Sequence, residues 1–70
     1  MFLPEALQAA ERAVKLEPKN TGIMDTLAEV HFKMGDQAKA VEVETRALAL
    51  APNDSYLTQQ LARFRAGGAK

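Results

Sequence analysis

Seventy residues suffice for one small domain with a thin core, because a chain of this size buries only about 60% of the surface its unfolded state exposes. Nine Lys and Arg balance nine Asp and Glu, so no global field draws in nucleic acid or an anionic membrane. With no cysteine there is no disulfide framework, thiolate nucleophile or zinc ribbon. No apolar run approaches the roughly 20 residues of a membrane span, and the opening MFLPEALQAAE has neither the basic n-region nor the long h-region of a signal peptide. The composition reads as soluble and leaves the compartment open.

Ala, Leu, Glu, Lys, Gln and Arg dominate, and Pro and Gly fall between runs, which is a helical vocabulary. A first helix is expected over 4–16, since Pro4 is tolerated at a first helical position and Pro18 drives the preceding residue out of the α region. Ala6, Leu7, Ala10, Ala13 and Val14 form its apolar stripe, and Glu11 and Lys15 make an i,i+4 pair outside it. Leu3 is a poor cap, so the first turn is weakly held. Asn20 can cap a second helix over 21–34, with Met24, Leu27, Ala28, His31 and Met34 as its stripe. Gly35 can take the left-handed position that ends it, and Asp36 can cap the next.

The third helix, 37–50, has Ala40, Val41, Ala47 and Leu48 on one side and Val43 and Leu50 on a neighbouring one. Two apolar faces mean two packing partners. Asp54 caps a fourth helix over 55–66, with Leu57, Leu61 and Phe64 inward and Gln59, Gln60, Arg63 and Arg65 outward. Gly67 and Gly68 stop it, leaving 67–70 as a flexible tail. Charge is uneven along these elements: residues 1–54 carry six basic and nine acidic side chains, whereas 55–70 carry Arg63, Arg65 and Lys70 and no acid.

A shift of 34 residues superposes Leu16-x-Pro18-x-Asn20 on Leu50-x-Pro52-x-Asp54, and Ala6, Leu7, Ala13 and Val14 on Ala40, Val41, Ala47 and Leu48. Helix, turn, helix and a following Pro at this period resemble the tetratricopeptide repeat (TPR) family. Residues 21–54 match one complete repeat: Met24 at the large apolar position, Leu27-Ala28 at the Leu-Gly pair, Gly35-Asp36 at the turn, then Ala40, Ala47-Leu48, Leu50 and Pro52. Residues 4–20 match the second helix of a preceding repeat, and 55–66 a first or capping helix. The resemblance implies an all-α fold, antiparallel helical hairpins stacked as a short right-handed solenoid of about four helices. Leu16 is expected to close the first helix onto the core at the joint LEPKN. The small side chains Ala28, Ala40 and Ala47 suit a close antiparallel approach of two helices.

Two positions depart from the family pattern, His31 and Glu44, where it usually carries aromatic rings. Both are titratable: they either pair across the second and third helices, raising the His31 pKa, or lie solvated near the edges of the stack. Neither makes a catalytic or metal site. There is one His, no Cys and no phosphate-binding Gly-rich loop, and the carboxylates on its own helix, Asp25 and Glu29, stand at the wrong spacing. No enzyme activity and no cofactor are expected. Three cations without an interleaved aromatic platform are a thin nucleic-acid signal, and they suit the end of a helix, whose dipole favours positive charge. Neither nucleic acid nor membrane is expected as a partner.

The resemblance implies that first helices line a concave surface, here with a peptide-binding groove of Asp25, Glu29, Phe32 and Lys33 on the second helix and Tyr56, Gln59 and Arg63 on the fourth. Relatives that clamp the acidic tails of chaperones use Lys and Asn at two positions held here by Asp25 and Glu29. A terminal carboxylate would be repelled, so no chaperone-tail clamp is expected. The groove suits an extended or helical peptide with a basic or neutral residue beside an apolar one. Phe32 is expected to have no role in the core, so that Phe32→Ala should leave stability unchanged. Repeats of this kind cannot bury their faces alone, so the first helix is expected to have lost a partner over Phe2-Leu3, Ala6 and Ala10. The chain then reads as the C-terminal part of a larger repeat protein and a protein-interaction module. A second reading is architectural, a solenoid cap or a homo-oligomer joined through the open N-terminal edge.

Overall fold

A computed structural model describes residues 3–67; Phe2, Gly68, Ala69 and Lys70, named above, lie outside the described residues. Four helices follow in order: α1 Leu3–Leu16, α2 Thr21–Lys33, α3 Gln37–Leu50 and α4 Ser55–Gly67, with no strand among the described residues. They form a slab of 32 × 30 × 16 Å.

Local chemistry sets the joints. Asn20, Asp36 and Asp54 each accept at Oδ1 from the backbone N–H three residues on, Ile23, Lys39 and Leu57, all at 3.1 Å. These side chains satisfy amides that an α-helix leaves unpaired in its first turn. Gly35 stands at φ +87°, its N–H donates to the Phe32 carbonyl at 3.0 Å, and the Asp36 N–H reaches back to the His31 carbonyl at 2.9 Å. That paired closure of the helix end requires a left-handed residue, which glycine adopts without a Cβ clash. The two Pro-containing joints repeat as well: Asn20 N–H donates to Glu17 and Asp54 N–H to Ala51, both at 3.1 Å.

The core is built from Ala10 of α1, Met24, Leu27 and Ala28 of α2, Ala40, Val43 and Ala47 of α3, and Leu57 and Phe64 of α4. Ala28, Ala40 and Ala47 have no exposed surface, so α2 and α3 meet through methyl groups and pack closely. Leu16 does not close α1 onto this core: it is 77% exposed, and Leu50, its copy, is 46% exposed. Val14 and Leu48 pack against the core instead, and two residues further on a side chain has turned about 200° round the helix. Met34 likewise ends as an exposed cap residue beyond the helix. Val30, outside the expected stripe, is buried.

Candidate functional site

α2 carries a second stripe, Asp25, Glu29 and Phe32, beside its core stripe, and the fold turns it toward α4. Phe32 is half-buried and packs on the core, with its ring centroid 5.0 Å from that of Phe64 in a tilted pair. It is therefore a structural residue, contrary to the expectation that its ring has no part in the core. Spacing explains the misreading. Residues 25, 29 and 32 share one helical face, which in an isolated helix is the outer one and in the stack adjoins α4.

Arg63 is not a free cation. Its guanidinium is ion-paired and hydrogen-bonded to Glu29, its Nε donates to Gln60 Oε1 at 3.2 Å, and it lies 5.1 Å from the Phe32 ring centroid and 4.9 Å from that of Phe64. Stacking of this kind suits a planar guanidinium. Lys33 stands 3.9 Å from Glu29, a loose and exposed i,i+4 pair that contributes little. Asp25 accepts from the Gln60 amide at 3.4 Å and is also the hydrogen-bond acceptor that the Tyr56 phenol and the Glu44 carboxyl face; the same amide lies 3.4 Å from Glu29.

Behind these acids sits Glu44 of α3, the one buried charged residue type in the core among the described residues, with no exposed surface. No group among the described residues donates to either carboxyl oxygen. Burial, a hydrogen bond to Asp25 and the facing charges of Asp25 and Glu29, opposed by Arg63, raise its pKa from 4.5 to about 8. Glu44 is thus a neutral acid at pH 7, neither solvated nor paired with His31. His31 lies two residues from Glu29, about 200° round α2, so the pairing that was one of the two alternatives read from sequence cannot form across the face that Glu44 occupies. The charge of Asp25 also raises the pKa of the exposed Tyr56 phenol on α4, with smaller contributions from desolvation, from a hydrogen bond to the same carboxylate and from the charges of Glu29 and Glu44.

A groove of about 390 Å³ opens over this cluster. Asp25, Glu29, Lys33 and Tyr56 line it together with Gln60, and its far wall is Leu3, Ala6, Thr26 and Val30. Of the residues assigned to a groove from sequence, Phe32 packs against Phe64 of α4, Arg63 lies exposed over both rings, and Gln59 is exposed; none of the three lines this groove. Glu44 stood out in the sequence as an acid at a family aromatic position, but its burial against Asp25 and Glu29 was not legible, because it depends on which face of α2 meets α3.

A second groove, about 280 Å³, runs along α1 and is lined by Ala6, Ala9, Ala10, Ala13, Ile23, Thr26 and Val30. Among the described residues no group of three or more His, Asp or Glu is arranged to hold a metal ion, and no described helix is long and apolar enough to cross a membrane.

The family model described as tetratricopeptide repeat matches residues 3–64. No curated protein and no solved structure matches the chain.

Proposed function

The chain belongs to the tetratricopeptide repeat family, and we propose on that premise that it is a protein-interaction module that takes a peptide or partner helix into the groove between α2 and α4. What supports this reading is the groove of about 390 Å³ in which an exposed aromatic, Tyr56, stands across from the carboxylates of Asp25 and Glu29. Convergent polar groups beside an apolar wall, here Leu3, Ala6 and Val30, can orient a ligand in a cleft, and aromatic side chains often anchor partners. The unit is read as one complete repeat over 21–54 between two flanking helices.

A random dodecapeptide library displayed on phage and selected on the immobilised protein tests the groove. Peptides seated there lose at least tenfold in affinity to Tyr56→Ala, about 1.4 kcal/mol, while thermal unfolding stays within a few degrees because the ring is exposed. Unchanged affinity would overturn the groove.

The second reading is architectural, and the alanine-lined groove on α1 favours it. Its residues Ala6, Ala9, Ala10 and Ala13 occupy the repeat positions of Ala40, Val43, Glu44 and Ala47, all buried in α3. A second copy joined through this edge would raise the mass seen by light scattering as concentration rises, and a concentration-independent monomer excludes it.

A further inference from the structure

We propose that the groove between α2 and α4 selects its partner by one basic side chain, seated against Asp25, with Glu29 beside it and the buried Glu44 carboxyl behind. This rests on the groove reading above and adds the chemistry of the ligand.

Three carboxyl groups converge here from two helices, and the resident cations are disposed unevenly among them. Arg63 is committed to Glu29 and to the two phenylalanine rings. Lys33 reaches only Glu29, at 3.9 Å and largely in solvent. Asp25 lines the groove and is ion-paired with no cation among the described residues. The arginine already held at Glu29 shows that the cluster accommodates a guanidinium. The vacancy is one carboxylate along the same face of α2.

Glu44 makes this more than an acidic surface. It is fully buried, receives no hydrogen bond at either oxygen, and is turned toward Glu29 and toward Asp25, to which its proton is hydrogen-bonded. The ionised form would be buried without a donor, which is costly, and that cost falls if a second cation enters the cluster, because the acid can then ionise. The groups that face Glu44 are Asp25 and Glu29 on α2 and Arg63 on α4, with Tyr56 of α4 close enough to feel its charge. A cation arriving beside Asp25 opposes the two negative charges that keep the Glu44 proton in place. Entry of a basic side chain is therefore coupled to release of the proton from Glu44 to solvent, and basic partners bind more tightly as pH rises through neutrality.

The probe is a capped arginine-containing peptide from the library selection, paired with the same peptide in which that arginine is citrulline, its neutral isostere. Arginine is used because it stays charged over the whole range. Selected peptides are expected to be enriched in arginine or lysine at one position, and the arginine form to bind at least tenfold more tightly than the citrulline form. Asp25→Asn removes that difference while leaving the citrulline peptide unaffected. Between pH 6.5 and 9 the arginine peptide gains several-fold in affinity on the native protein and stays flat on Glu44→Gln, with circular dichroism confirming that both variants fold. Equal binding of the two peptides, while Tyr56→Ala still weakens both, would overturn the proposal and leave the groove standing. A preference that survives Asp25→Asn would also overturn it. Binding indifferent to Tyr56→Ala would remove the groove itself.

Discussion

The molecule contains the same groove twice, 34 residues apart, once open and once filled. On α1 and α2 it is lined by Ala6, Ala9, Ala10 and Ala13 with Ile23, Thr26 and Val30. One repeat on, the corresponding positions are Ala40, Val43, Glu44 and Ala47 with Leu57, Gln60 and Phe64, and α2 lies over them: Phe32 packs on Phe64, and Gln60 bonds to Asp25 and Glu29. Small apolar residues line the open copy, whereas large and polar ones line the closed copy. Glu44 in the closed copy occupies the repeat position that Ala10, itself buried, holds in the open one.

The largest expected effect comes from making the closed groove resemble the open one at its charged position. Because the folded-state pKa of Glu44 is about 8 against 4.5, the folded protein holds a proton that the unfolded chain has already lost between those values. Stability therefore falls as pH rises from about 5 to 8, by up to about 1.4 kcal/mol per unit, and levels off on either side. Glu44→Met, unbranched and of similar volume, removes this dependence and stabilises the protein at pH 8. Urea midpoints measured at each pH decide it, and a slope retained in Glu44→Met would mean that another group carries the proton.

Next in size is Phe64→Val, which copies Val30 of the open groove into the closed one. Phe64 is fully buried and holds both Phe32 and Arg63, so truncation costs about 2–4 kcal/mol on the scale of large-to-small core changes. That is a large part of the stability of a domain this small. Phe32→Ala is expected to follow it with a smaller loss, reversing the reading from sequence.

The smallest effect sharpens the contrast between the two grooves. Ala40→Leu overpacks a contact with no exposed surface and lowers stability by about 1–3 kcal/mol. Ala6→Leu, the same repeat position on the open edge, changes it by less than about 0.5 kcal/mol. Thermal melts of the two variants side by side test this, and equal costs would show that the α1 edge is covered in solution.

Local chemistry determined the helices and their joints. A Pro that breaks a helix, an Asn or Asp whose side chain caps the next, and a Gly able to turn left-handed act within three or four residues, so the boundaries of α3 and the caps of α2, α3 and α4 could be read directly, and the 34-residue period identified the family. What the period could not decide was which face of each helix meets a neighbour. Phe32, Leu16 and Glu44 were misread for that one reason: a residue two positions away along a helix points to the opposite side, and whether that side is solvent or another helix depends on segments distant in sequence. Only the stacking of α4 against α2 turned an apparent surface ring into core. The same stacking buried an acid beside two others and left Asp25 with no ion-paired cation among the described residues.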